Sequence, residues 1–224
     1  STCAENQKNL YPTKTETAAN HSALKRTSAA VYDFHTGLVT TATDVDNGVS
    51  VMTEYDALGR PIKVRNAANS ALESWVRTEY NDTARRVIVR SDVESIGDGR
   101  KVAIQHYDQL GRVRLSRSLE NAATEDPYNE TDGIKVETRY STGNPNSYQI
   151  TSNPFRAAYA TQATSEPTMG WTRSKSWNTG RKSEVETFSG AALPAPWERT
   201  QLRPASSQPT STRTQRLLPI RLAS

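Results

Sequence analysis

The chain has 224 residues, 34% of them hydrophobic, with nine Tyr against three Phe and a formal net charge of +4. That apolar share lies below the roughly 45–50% of ordinary globular domains counted with Gly. It suits a thin sheet with one polar face better than a dense core. Five Arg and no acid lie between Arg199 and Ser224, which leaves −1 for residues 1–198. A surface built for nucleic acid carries its Lys and Arg on folded elements, so no nucleic-acid partner is expected. Cys3 is alone, which excludes an intrachain disulfide and a Cys-based zinc site. His21, His35 and His106 are scattered without ligand spacing. No apolar run nears the roughly 18 residues of a membrane-spanning helix, and no signal-peptide pattern is visible. Neither membrane insertion, nor a cofactor, nor a metal is expected.

In chain order, residues 1–26 are polar, of weak helical or loop character, without a repeat motif, and are expected to be poorly ordered. Strand–turn–strand units then fill residues 27–190. They centre on Asp33–Gly37, Asp56–Gly59, Asn81–Ala84, Asp108–Gly111 and Asn178–Gly180, with a less regular pair at Tyr140–Asn146. Residues 121–133 are acidic and turn-rich, and residues 153–170 carry Pro154 and Pro167. Both read as exposed loops inserted between hairpins. Residues 191–224 form a basic tail of Ser, Thr, Pro, Gln and Arg with no apolar period. Two readings stay open for it. One is a disordered linker. The other is a frameshift, since suitable codons for Glu198–Ala223 moved by one base spell a strand-like stretch.

One motif governs the repeat region. Tyr55-Asp56-Ala57-Leu58-Gly59-Arg60 and Tyr107-Asp108-Gln109-Leu110-Gly111-Arg112 share five of six letters. Partial copies are Tyr32-Asp33 with Gly37, Tyr80-Asn81, Tyr140, and Trp177-Asn178-Thr179-Gly180-Arg181. These aromatic positions are 23, 25, 27, 33 and 37 residues apart, a period that indicates a repeat architecture. The motif's chemistry is that of a hairpin turn. Asp accepts backbone N–H groups two residues on, and Gly takes φ > 0 without steric cost. Tyr offers a large ring and one hydroxyl. Val49, Val51 and Tyr55 share one strand face, and Ile134, Val136 and Tyr140 repeat this. In the third unit Val102 and Ile104 fall opposite Tyr107; a bulge or burial on both faces would account for it, and both stay open.

Tandem Tyr-Asp-x-x-Gly-Arg units at this spacing resemble the RHS/YD-repeat family over roughly residues 30–190. The resemblance implies hairpins coiled into a β-sheet spiral that closes into a hollow shell. Such a shell encloses a toxic C-terminal domain in bacteria or belongs to a large cell-surface adhesion protein in animals. The family's Asp-Pro-x-Gly self-cleavage motif has no match, since Asp126-Pro127 is followed by Tyr128-Asn129. The expected fold is all-β, with tandem antiparallel hairpins in a curved open sheet that forms part of an RHS-type shell. The expected role is structural, in a secreted or cell-surface parent that encloses or presents another domain. Partners would be other repeats of that parent, an enclosed C-terminal domain, or surface glycans. The alternative is a free-standing module that binds carbohydrate or a surface.

Other constellations have bland readings. Asp56 with Arg60, and Asp108 with Arg112, could hold a charged ligand. A motif repeated in each unit more simply serves the scaffold, Asp capping the turn and Arg pairing with an acid on the next hairpin. Asp44-Val45-Asp46-Asn47-Gly48 has Glu54 six residues past its Gly, but its ligand spacing is one residue short of an EF-hand loop. A hairpin turn is the better reading. Glu184 with Glu186, and Glu125 with Asp126, are acids on a strand edge or in a loop, not a facing pair for hydrolysis, and Glu184 and Glu186 are expected to project from one face into solvent. Trp75, Trp171, Trp177 and Trp197 could stack glycans, though packing between hairpins is simpler. No nucleophile elbow occurs, and no catalytic residue is assigned. The structural motif set is Tyr32, Asp33, Gly37, Tyr55, Asp56, Gly59, Arg60, Tyr107, Asp108, Gly111, Arg112, Gly180 and Arg181.

Overall fold

Segments rich in Val, Thr, Ile and Tyr favour a pleated, half-buried surface, and Gly or Asx residues punctuate them. The computed structural model describes residues 11–142, 146–156, 169–177 and 179–193. Its strands are β1 (Lys14–Thr17), β2 (Arg26–Tyr32), β3 (Val39–Asp44), β4 (Val49–Tyr55), β5 (Pro61–Asn66), β6 (Ser74–Asn81), β7 (Arg86–Ser91), β8 (Lys101–Tyr107), β9 (Val113–Ser118), β10 (Ile134–Thr142), β11 (Asn146–Ser152), β12 (Gly170–Trp177) and β13 (Lys182–Ser189). The fold is all-β, and the described residues contain no helix. Each strand neighbours its successor, giving one open antiparallel sheet of consecutive hairpins in the order β1 to β13. The chain divides into two compact units: Ser1–Tyr80 with Val87–Val102, and Asn81–Arg86 with Ala103–Ser224.

In the first unit, the expectation of poor order over residues 1–26 gives way at residues 14–17, while residues 1–10 lie outside the described residues. Lys14–Thr17 pairs with β2 in the register Lys14↔Ala29 to Thr17↔Arg26, and Tyr11 stacks on Tyr32 with centroids 5.0 Å apart. All four β1 side chains are exposed, so no apolar alternation marks this strand. In β4 and β5 no residue is fully buried, consistent with a wall that leaves both faces partly open. Buried apolar residues of the unit are Ala68, Ile88 and Val102.

The second unit has a covered face. Ile104 and His106 of β8, Leu115 and Arg117 of β9, Lys135 and Glu137 of β10, and Ile150 and Ser152 of β11 are buried. Period-2 spacing puts each pair on one side of its strand. Ile150, Phe155, Met169 and Trp171 form the apolar core, with Phe188, Ala191 and Leu193 packed against it. Three expected boundaries therefore change. Residues 121–133 are not a free loop: Pro127 and Gly133 are buried, and the segment folds back onto β9 and β10. Phe155 is buried and exchanges backbone hydrogen bonds with Lys135, at 2.8 and 2.9 Å, so the 153–170 insertion is tied down at its start. Its residues 157–168 lie outside the described residues. Residues 191–193 belong to the core edge and not to a tail, and residues 194–224 lie outside the described residues.

The anomaly at Tyr107 now has its reason. A register shift separates His106 from Tyr107, but the same shift separates Glu54 from Tyr55, where alternation is intact. β8 differs in that its even positions Val102, Ile104 and His106 are buried, with His106 against Glu130 of the covering segment.

Candidate functional site

The Tyr-Asp-x-x-Gly-Arg residues build a joint rather than a ligand site. Asp56 Oδ1 accepts the N–H groups of Leu58 and Arg60, each at 2.9 Å, and Oδ2 accepts Arg60 Nε at 2.7 Å. Asp108 repeats this with Leu110 at 2.8 Å, Arg112 N–H at 2.9 Å and Arg112 Nε at 2.7 Å. Gly59 and Gly111 close the turns at φ of 77° and 75°, a conformation costly for residues with a Cβ. Both carboxyls are held below the usual range, first by the backbone N–H of Arg60 or Arg112 and then by its side chain.

Arg60 lies over the Tyr80 ring and Arg112 over the Tyr140 ring, each 4.3 Å from the centroid. Each Arg therefore pairs with the acid of its own motif and stacks on a Tyr of the following strand. That Tyr's hydroxyl donates to the carbonyl just beyond the motif Arg: Tyr80 to Pro61 at 3.2 Å, and Tyr140 to Val113 at 2.9 Å. Tyr55 reaches Val39 at 2.7 Å and Tyr32 reaches Pro12 at 3.1 Å in the same way. The joint thus occurs four times among the described residues. At its first copy Tyr11-Pro12 stands where Arg60-Pro61 stands later, a half-repeat inside the segment read as featureless.

Two copies depart from the pattern. Asp33 caps through Thr36, whose N–H and hydroxyl both donate to Oδ1 at 2.8 Å, and Gly37 sits at φ 71°. Tyr107 donates to its own strand neighbour Gln105 at 2.6 Å. The last copy is realigned. Trp177 N–H donates to Arg181 O at 2.9 Å and Gly180 N–H to Trp177 O at 2.8 Å, the bonds Asp56 makes with Arg60 and Gly59. Trp177 therefore occupies the Asp position. Ser176, paired with Lys182 as Tyr55 is with Pro61, occupies that of the aromatic. Asn178 lies outside the described residues.

The second cluster was missed by sequence. Arg117, 3% exposed, donates to the carbonyls of Asp132 at 3.1 Å, Pro127 at 3.0 Å and Asp126 at 3.2 Å, and to that of Asn129. Lys135 donates to Thr131 O and lies over the Phe155 ring. His106 Nδ1 is 3.3 Å from Glu130 Oε1, while its Nε2 is buried without a hydrogen-bond partner among the described residues. Burial lowers the His106 pKa to about 4; Glu130 opposes this, and Arg114, Arg117 and Arg86 add to it. The alternation Val102, Ile104, His106 was the available signal. It places the imidazole on the apolar side of β8.

The remaining candidates are structural. Asp44–Gly48 is the turn between β3 and β4: Asp44 accepts from Asn47, and Asp46 Oδ2 accepts Thr27 N–H at 2.6 Å. Glu186 pairs with Arg173, and Glu184 Oε2 lies 3.9 Å from Lys175 Nζ. These acids face cations on β12, which corrects the solvent-facing expectation. Glu125 accepts the N–H groups of Glu120, Asn121 and Gly133. Trp171 is core. Trp75 carries two cations against its ring, Lys63 Nζ 3.7 Å from a ring centroid and the Arg77 guanidinium at 4.8 Å. Trp177 is half exposed, and Trp197 lies outside the described residues. Among the described residues no group of three His, Cys, Asp or Glu could hold a metal ion. Neither a protein-family model nor a curated protein matches the chain.

Proposed function

We propose that this chain is a structural repeat segment of a large secreted or cell-surface protein of RHS type, part of a scaffold that encloses or presents another domain. One observation carries this reading. The side chains a ligand would need, Asp56, Arg60, Asp108, Arg112 and the joint tyrosines, are already spent on each other and on neighbouring carbonyls. Satisfied polar groups of this kind specify register and spacing, which is what a wall requires. No catalytic role is assigned to any residue.

The test is the DNA flanking the coding segment, read in all three frames. Further Tyr-Asp-x-x-Gly-Arg units, followed by a distinct domain, are the expected result. Their absence from every frame overturns the wall reading and favours the free-standing module. That second reading has one observation of its own. An open groove of about 500 Å³ on the first unit is lined by Asp33, Thr36, Thr40, Tyr55 and Arg65, a mix of aromatic and polar groups that suits a sugar. A glycan array probed with the full chain tests it, and an array without signal removes it.

A further inference from the structure

The joint has a donor half and an acceptor half, and they sit on different hairpins. The donor half is a Tyr at the end of a first strand. The acceptor half is the residue two beyond the turn Gly, whose carbonyl takes the hydroxyl, with a stacking side chain just before it. Pro12, Val39, Pro61 and Val113 fill the acceptor role. Tyr11, Arg60 and Arg112 supply the stack. In the last hairpin, pairing with Ser176 puts Lys182 in the acceptor position, and Arg181 precedes it. Both are exposed.

We propose that the outer edge of β13 is a docking edge for the first strand of a further hairpin ending in Tyr, its ring on Arg181 and its hydroxyl on the Lys182 carbonyl. The proposal rests on the wall reading and names the edge, the residues and the chemistry of the occupant. The occupant comes from outside this chain. Residues 194–224 contain no Tyr. The edge strand β1 of a second copy, Lys-Thr-Glu-Thr, ends without one. An exposed edge supplies backbone hydrogen bonds to any strand. The Tyr-specific joint adds selection to that general affinity.

The test uses the full chain with a second copy of its own hairpin, Val49–Asn66, fused behind Ser224 by a Gly/Ser linker. The readout is amide hydrogen exchange over residues 182–189. Docking slows exchange there by about tenfold or more. Tyr→Phe at position 55 of the fused copy then weakens protection about fivefold, the usual worth of one hydrogen bond, and Arg181→Ala weakens it further. Three outcomes overturn the proposal: no slowing, slowing indifferent to both changes, and slowing that the chain without the fused hairpin shows equally and that scales with protein concentration. The last would mean that β13 pairs with β13 of another copy. The flanking DNA decides the wall reading separately, so failure of one is distinguishable from failure of the other.

Discussion

In β4 and β5 no residue is fully buried, whereas β9 and β10 together bury Leu115, Arg117, Lys135 and Glu137. The first pair is held by turn capping and by Tyr hydroxyls that bridge hairpins at the surface. The second is held by a segment, residues 120–133, laid over its face and satisfied from beneath by buried cations. Surface joints tolerate loss because water replaces what is removed. A buried cation serving several carbonyls does not, since its removal leaves those acceptors unpaired out of water. Among the described residues, burial deepens where a segment folds back over the sheet, and stability concentrates there rather than at the surface joints.

Removing Arg117 breaks the covered region most severely. Arg117→Ala leaves four carbonyl acceptors without their donor, and the expected loss is about 4 kcal/mol. Urea denaturation measures it, and exchange over 120–133 rises while exchange over 49–66 does not. A uniform rise across both regions would refute the contrast.

Glycines sharpen it next. Gly133 sits at φ 80°, and a Cβ there meets Ser118 O at 2.7 Å; Gly111 sits at φ 75° with nothing within 4 Å. Gly133→Ala is expected to cost about 3 kcal/mol, combining backbone strain with a clash, and Gly111→Ala about 1 kcal/mol. Equal midpoints for the two variants would show that the covering segment yields freely.

Acid provides a third test. The His106 pKa falls from 6.5 to about 4 in the folded chain, so the unfolded chain takes up the proton first. The contribution is whole above pH 6.5 and is lost as pH drops toward 4, by about 3 kcal/mol at most. Charging this imidazole sets a cation beside Arg86, Arg114 and Arg117, with Glu130 as counter-charge. His106→Gln should flatten the stability profile between pH 6.5 and 4, as thermal melts across that range would reveal. An unchanged slope would place the acid sensitivity elsewhere.

The smallest effect belongs to the joint. Tyr55→Phe and Tyr140→Phe each lose one hydroxyl bond at a partly exposed carbonyl, an expected cost of about 1 kcal/mol. A loss as large as that of Arg117→Ala would erase the distinction between the two regions.

The sequence by itself determined the hairpins. Turn capping by Asp56 and Asp108, positive φ at Gly59 and Gly111, and the recurring aromatic all act within a few residues, where local chemistry decides the conformation. Only the tertiary structure decided what those residues join. The stack of Arg112 on Tyr140, the bond from Tyr32 to Pro12 and the half-repeat at Tyr11 link positions about 20 or more residues apart. β1 could not be read because its four side chains are all exposed, and exposure leaves no period to detect. Arg117 and Lys135 carry charges that composition assigns to solvent. They are buried because the carbonyls of 126–132 fold back to meet them, a match that exists only once the covering segment closes.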